Sequence, residues 1–357
     1  MATRARATSS TCAESACADN PRMPGSHPYD TLTPDAVLDA LATLGAHGDG
    51  RLLALSSYEN RVYQVALEDP LQGHAQVVAK FYRPGRWSDA AIAEEHAFAA
   101  ELAAGEVPAV PPLAVDGRTL HHHGGFAFSV SPQRGGRTPE LDDGEVPEWI
   151  GRFLARLHTV GAARPFSERP TLDASTFGTE QRDWLLASGR IPLDVEALWR
   201  QRCDEALAAA ASALGGERGY APRWQLLRTH GDCHPGNILW TPDQGPHFVD
   251  LDDARMAPAV QDLWMLLSGE RVQRQRQLGA LLDGYDQVRD FDRAELALIE
   301  PLRTLRLVQY SAWIARRWDD PAFPAAFPWF GSSDYWKEQV QMLEEQLEQM
   351  AEPPLEA

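Results

Sequence analysis

The chain has 357 residues, with 33 Lys and Arg against 51 Asp and Glu, a formal net charge of −18 and a hydrophobic share of 44%. That length suffices for two lobes, each burying a core, in an ordinary globular protein. The acidic balance argues against a general nucleic-acid binder, because phosphate contacts need local positive charge.

Cys12, Cys17, Cys203 and Cys233 are too few for a disulfide scaffold and lack zinc-ribbon spacing, which points to a reducing compartment. No apolar run reaches bilayer length, so no membrane association is expected. The opening stretch MATRARATSSTCAESACADNPRMPG has two arginines but no apolar core. It reads as a disordered extension over 1–30, not as a secretory signal.

Order is expected from TLTPDAVLDALATLG, 31–45, where Thr33-Pro34-Asp35 caps a helix with Val37, Leu38, Leu41 and Leu44 on one face. LLALSSYENRVYQVAL, 52–67, is β-rich at both ends with turn residues between, predicting strand, tight turn, strand. AQVVAKFYR, 75–83, alternates as a strand, with Val77, Ala79 and Phe81 on one face and Val78, Lys80 and Tyr82 on the other. Ser88 caps a helix over 88–108, and TLHHHGGFAFSVSP closes a hairpin at 119–132. A small β-rich lobe with one inserted helix therefore spans 48–131, led by the helix at 31–45.

From 135 onward the pattern is helical. EWIGRFLARLH places Ile150, Phe153, Leu154 and Leu157 on one stripe. An alanine-rich helix over 195–216 ends in glycines. Residues 293–318 read as helix with a break at Pro301, 319–330 as a non-helical excursion, and 335–350 as a last amphipathic helix before a short tail at 351–357.

The chemistry concentrates in THGDCHPGNILW, 229–240, followed by FVDLDD, 248–253. Zinc would take His230, Cys233 and His234, but these crowd into five residues with no second ligand pair. A Cys233 nucleophile would sit among carboxylates, which raise a thiol pKa. Phosphoryl transfer needs a carboxylate to orient the attacking hydroxyl, an oxygen pair to hold Mg²⁺ on the phosphates, and a lysine. ILW, the turn residues TPDQGP and HFVDLDD predict a hairpin that brings Asn237 beside Asp250. An amide and a carboxylate at adjacent strand ends suit a hard divalent cation.

HGDxxxxN followed by a hydrophobic strand ending in Asp resembles the catalytic and metal loops of the aminoglycoside/choline phosphotransferase group, relatives of the protein kinases. NRVYQV, VVAKFYR, AEEHAFAAEL, FLARLH and QDLWMLL fall in the group's order over nearly all of 33–350. More narrowly, SSYENRVYQ, KFYRPGRW, HGDCHPGNILW, VDLDDARMAPAVQDLWMLL and RRWDDPAFPAAFPWF resemble the bacterial stress response kinase A family, whose members are assigned as cytoplasmic Ser/Thr protein kinases.

The resemblance implies an α+β, two-lobed protein-kinase-like fold, with a nucleotide-binding lobe over 31–131 and a helical lobe over 132–350. ATP would bind between the lobes, its adenine on the hinge near Val130. Asp232 would be the catalytic base, and Asn237 and Asp250 would hold Mg²⁺, with Asp250 also counted in the catalytic set. Lys80 would hold the α- and β-phosphates, paired with Glu95, or alternatively Glu94. Ser57 would lie against the phosphates, and Asp262 would tie down the catalytic loop. The acceptor would be a protein Ser/Thr hydroxyl, or a small alcohol of amino-sugar, choline-like or homoserine-like type. A monomer is expected.

Departures from the kinase pattern limit what carries over. SSYEN replaces the glycine-rich phosphate loop. Gly231 stands where many regulated kinases have an arginine. Leu251 follows Asp250, and Pro258 comes too soon for a long activation loop. Asp252 and Asp253 read as supporting carboxylates. Trp313, Trp318, Trp329 and Trp336 read as core, unless several line an acidic cleft, where they would suit a cationic ligand.

Overall fold

The alternation in AQVVAKFYR becomes a strand with two different faces. In the computed structural model, which describes residues 27–356 apart from 143, 217–219 and 222, Val77, Ala79 and Phe81 are at most 1% exposed. Val78, Lys80 and Tyr82 line the cleft on the opposite face. Burying a side chain the size of Phe81 contributes about 1.5–3 kcal/mol, which fixes the register of the whole strand.

The upper lobe follows the chain: α1 (Pro34–Ala42), β1 (Gly48–Leu55), β2 (Arg61–Leu71), β3 (His74–Phe81), α2 (Asp89–Ala104), β4 (His121–His123) and β5 (Phe126–Pro132). The five strands form one sheet in the order β1-β2-β3-β5-β4, antiparallel throughout. The Thr33 hydroxyl accepts from the Ala36 amide and the Ser88 hydroxyl from the Ala91 amide, so both expected caps close their helices. Of the extension expected over 1–30, residues 1–26 lie outside the described residues. His27–Asp30 is ordered: Tyr29 is 7% exposed and stacks on Phe126 at 5.8 Å.

The lower lobe is helical around two short ladders. Its elements are α3 (Glu145–Gly161), α4 (Glu180–Ala187), α5 (Leu193–Leu214), β6 (Leu227–Thr229), β7 (Ile238–Thr241), β8 (Gly245–Phe248), β9 (Arg255–Ala257), α6 (Val260–Trp264), α7 (Arg271–Tyr285), α8 (Ile299–Arg316), α9 (Ala322–Ala326) and α10 (Ser333–Ala351). The architecture is α+β and two-lobed, as expected. Helices α3 and α7 cross so closely that a Cβ on Gly151 would lie 1.9 Å from the Leu281 carbonyl oxygen, and one on Gly284 1.9 Å from that of Glu148. That approach lets His158 of α3 meet Tyr285 of α7 beneath the site, Nδ1 to hydroxyl 2.9 Å.

Two details differ from the sequence expectations. Pro301 does not break α8; it sits in the first turn, where its missing N–H has no partner to lose. The discontinuity comes earlier, where a 3₁₀ segment over Arg293–Leu298 gives way to α8. The excursion at 319–330 contains the short helix α9, seated by Phe323, which is fully buried. Among the described residues no helix is long and apolar enough to cross a membrane.

Candidate active site

The β6–β9 and β7–β8 ladders create the site. One loop, 230–237, leaves β6 and enters β7; another, 249–254, leaves β8 and enters β9. The two loops therefore run side by side. The Val249 amide donates to the Asn237 carbonyl at 3.1 Å, and Asn237 Nδ2 donates to the Asp232 carbonyl at 2.9 Å. Asp232, Asn237 and the Asp250 segment are thus joined by one side-chain and one backbone hydrogen bond.

Asp262, at the start of α6, holds this loop from below. Its carboxylate accepts from the His230 amide at 2.8 Å, the Gly231 amide at 2.9 Å and His158 Nε2 at 3.0 Å. Burial alone would raise its pKa, but the hydrogen bond and charge of His158 and the Gly231 amide outweigh it and keep Asp262 below the usual carboxylate range. Gly231 has φ +82°, and a Cβ there would meet the Asp253 carbonyl oxygen at 2.1 Å. No larger residue fits, which explains why the arginine of regulated kinases is absent.

The competing chemistries do not survive the geometry. His230 Nε2 donates to the Val249 carbonyl at 2.9 Å, and its Nδ1 faces the Asp232 amide at 3.4 Å, so the ring is occupied as a loop strut. Cys233 is fully buried, and burial pushes its thiol pKa up, away from nucleophilic thiolate.

Asp250 adopts the left-handed conformation, φ 59° and ψ 61°, uncommon for a residue with a side chain and tolerated best by Asp and Asn. Its carboxylate is half exposed and meets Lys80 from the upper sheet, Nζ to Oδ1 2.8 Å; Lys80 also reaches Asp252 Oδ1 at 3.2 Å. Burial disfavours the Lys80 ammonium, but Asp250 and Asp252 more than offset this and hold its pKa well above the ordinary value. Asp252 is buried; Lys80 and Arg86 overcome the burial cost and lower it to about 2.

The two candidate partners of Lys80 separate cleanly. Glu94 points to the lower lobe and accepts from the amides of Ser167, Glu168 and Arg169 at 2.6, 2.8 and 3.1 Å. Glu95 points inward and lines the cleft with Lys80. No ion pair joins them, since Lys80 is taken by Asp250 and Asp252. Burial raises the Glu95 carboxyl to about 7, against the lowering influence of Lys80 and Arg169.

Two adjoining hollows meet at this point. The first, about 340 Å³, lies under the upper sheet, with Val62, Val78 and Pro112 from above and Leu239 and Phe248 from below. The second, about 480 Å³, opens toward α8 and contains Asp232, Arg306, Tyr310 and Trp313. Ser56, Ser57, Gly236, Asn237 and Asp250 border both. Ser57 therefore lies at the junction. Val130 does not face the first hollow: its side chain is 1% exposed in the upper core, and its carbonyl accepts from the Leu113 amide at 2.7 Å. The hinge residues that do line it are Ser129, Ser131, Pro132 and Arg134. The alternation of β5 explains the shift by one residue.

The chemistry of the donor set fits a hard divalent cation. Asn237 uses its Nδ2 on the Asp232 carbonyl, which directs amide nitrogen away and leaves the amide oxygen, and the Asp250 carboxylate is half exposed. When bound, such an ion would neutralise phosphate charge, with Asn237 and Asp250 as its protein ligands.

Arginines that the sequence did not single out organise the surroundings. Arg86 donates to Asp252 and, at 2.9 Å, to Asp253. Arg169 donates to the Ala254 carbonyl at 2.6 Å and also to the Asp252 and Ala91 carbonyls. Arg306 of α8 donates to Asp232 Oδ1 at 2.8 Å. A helical signal was present: Arg306, Tyr310 and Trp313 recur at i, i+4 and i+7 on one face of α8, with Arg317 at its C-cap. Of the four tryptophans, Trp336 is fully buried, Trp329 is 41% exposed, and Trp313 lines the second hollow.

Comparison with known proteins agrees with this geometry. Residues 51–299 match the model of the phosphotransferase enzyme family. The chain is 45% identical over 328 residues to stress response kinase A of Escherichia coli strain K12, covering 92% of this chain and 96% of that protein. It is equally similar, over the same shares, to a Salmonella typhimurium strain LT2 protein named serine/threonine protein kinase RdoA. Among solved structures, amicoumacin kinase hAmiN in complex with AMP-PNP, Ca²⁺ and Ami shares the fold with TM-score 0.67 at 19% identity, covering 91% of this chain and 93% of that one. The chain belongs to the phosphotransferase enzyme family and is a kinase of two-lobed, protein-kinase-like architecture.

Proposed function

We propose that this kinase transfers the γ-phosphoryl group of ATP to a hydroxyl, with a protein Ser or Thr as acceptor. The observation that carries the reading is the junction of the two hollows, where Lys80, Asp232, Asn237 and Asp250 converge. Adenine occupies the first hollow against the hinge residues beside Val130. Lys80 draws the α- and β-phosphates, and Ser57 and the adjoining backbone cover them. Glu95 is the acid placed to receive Lys80 when Lys80 leaves Asp250; a divalent cation, Mg²⁺ by its hard-oxygen preference, would be held by Asn237 and Asp250 and would offset the phosphate charge.

Asp232 accepts a hydrogen bond from the acceptor hydroxyl and aims its oxygen at the γ-phosphorus. The new O–P bond forms as the bond to the β-phosphate oxygen breaks; the hydroxyl proton passes to Asp232 and ADP leaves. The protein Ser/Thr acceptor is supported by the relative named a serine/threonine protein kinase.

A second reading, a small alcohol as acceptor, is favoured by the roof over the second hollow. Tyr58 of the β1–β2 loop packs on Phe327 at 5.2 Å, and Glu59 accepts from Trp313 Nε1 at 2.6 Å. A cationic acceptor is not favoured. Asp252 and Asp253 are engaged by Arg86, Glu59 by Arg83 and Arg317, and Asp232 by Arg306. Incubation with labelled ATP, generic protein acceptors and a panel of neutral and amino alcohols separates the two. Label on serine or threonine supports the protein acceptor; label on a small alcohol alone overturns it.

A further inference from the structure

Arg306 is the feature of the second hollow that the transfer reading leaves without a task. Two arginines line that hollow. Arg86 is consumed by Asp252 and Asp253, whereas Arg306 is bonded to the candidate base. Arg306 Nη2 donates to Asp232 Oδ1 at 2.8 Å, and its Nη1 donates to Gln309 Oε1 at 3.2 Å, one turn along the same helix. The other oxygen of Asp232 is differently placed. Oδ2 accepts no hydrogen bond among the described residues, and the His234 ring, Nε2 at 3.7 Å, stands beyond hydrogen-bond reach of it. Asp232 is thus held by one oxygen, and the second remains available to the hollow. The pair is partly exposed, Arg306 at 31% and Asp232 at 16%, so it is open to ligand and not sealed in the core.

We propose that Arg306 is a positioning residue for phosphoryl transfer: its guanidinium fixes the plane of the Asp232 carboxylate through Oδ1 and so presents Oδ2 to the attacking hydroxyl. This rests on the phosphotransferase reading above. A carboxylate turning freely about its last torsion offers either oxygen in many directions, whereas a charge-assisted bond selects one. Orientation of this kind is worth orders of magnitude in rate. Arg306 is carried on α8, whose neighbouring turns present Tyr310 and Trp313 to the same hollow. The helix that shapes the acceptor site therefore also aims the base.

The test needs no identified acceptor, because water can serve as the hydroxyl. The full chain is given labelled ATP with Mg²⁺, and phosphate release is timed for wild type, R306A, R306K, D232N and the double variant D232N/R306A. Nucleotide affinity and thermal melting are measured alongside. R306A is expected to release phosphate about 10- to 100-fold more slowly with unchanged nucleotide affinity, and R306K to recover part of the loss. The double variant is expected to be no slower than D232N alone, because Arg306 acts through Asp232. Two results overturn the proposal: R306A at the wild-type rate beside a slow D232N, or losses that multiply in the double variant. If R306A melts early, R306K and the comparison of the double variant with D232N decide. A D232N enzyme as fast as wild type removes the role of Asp232 itself, and Arg306 with it.

Discussion

Lys80 Nζ stands 2.8 Å from Asp250 Oδ1, so the middle strand of the upper sheet is bonded directly to the loop that leaves β8 in the lower lobe. This contact closes the cleft with a charge pair whose members would both face nucleotide phosphates.

Replacement of Lys80 by Ala tests that arrangement. Asp252 keeps Arg86 and Asn60, and Asp250 is exposed enough to turn to water. The fold should therefore persist, with a melting temperature close to that of wild type. Nucleotide affinity is expected to fall at least about 10-fold, a loss of about 1.4 kcal/mol. Titration with a fluorescent ATP analogue measures it; unchanged affinity would remove Lys80 from the phosphate site.

Asp262 should behave in the opposite way, as a residue of stability. Removing its carboxylate leaves the His230 and Gly231 amides and His158 Nε2 buried without an acceptor. Asp262→Ala is expected to cost about 2–4 kcal/mol of folding free energy. Urea unfolding of the variant beside wild type checks this, and a loss below 1 kcal/mol would show that water replaces the carboxylate.

Much of this framework was legible in the residues. The alternation around Lys80, the Ser88 and Thr33 caps, and the turn residues between Ile238 and Phe248 all follow from local rules that the fold obeys. The contacts made across the cleft were not legible. Arg169 grips the Ala91, Asp252 and Ala254 carbonyls, and Arg306 grips Asp232, over long sequence separations that no period or spacing encodes. Val130 shows a finer limit: Ser129 and Ser131 line the first hollow while Val130 points into the core, because a one-residue shift in a strand exchanges core for cleft. Pro301 reads as a breaker anywhere inside a helix; only the true start of α8 makes it harmless.

Glu95 gives the apo protein a pH dependence with a defined sign. Its carboxyl is raised from 4.5 to about 7 by burial, so the folded state holds a proton that the unfolded chain has released. Stability from this group is complete below about pH 4.5 and falls as pH rises through 7, by on the order of 3 kcal/mol. Glu95→Gln, which cannot ionise, is expected to flatten that part of the curve and to melt higher than wild type at pH 8. Melting across pH 4.5–8 without nucleotide measures it; parallel curves for the two proteins would contradict the assignment.

The β1–β2 loop offers a further test. Glu59 accepts from Trp313 Nε1 at 2.6 Å and forms ion pairs with Arg317 Nε at 2.6 Å and Arg83 Nε at 3.1 Å, seating the loop that carries Ser57 on α8. Glu59→Ala should free that seat. Amide hydrogen exchange over 56–60 is expected to quicken about 10-fold or more, matching a loss of about 1–2 kcal/mol. Exchange in β3 should stay as in wild type. Unchanged protection over 56–60 would mean that Tyr58 on Phe323 and Phe327 holds the loop unaided.

The central assignment is that Asp232, Asn237 and Asp250 work together on ATP and a divalent cation. The most direct measurement times transfer from labelled ATP by wild type and Asp232→Asn, each with Mg²⁺ and with a chelator, while nucleotide binding is followed in parallel. Wild type should transfer only with the metal, and Asp232→Asn should bind nucleotide normally yet transfer about 10²–10⁴-fold more slowly. Transfer by Asp232→Asn at the wild-type rate, or wild-type transfer indifferent to the chelator, would contradict it.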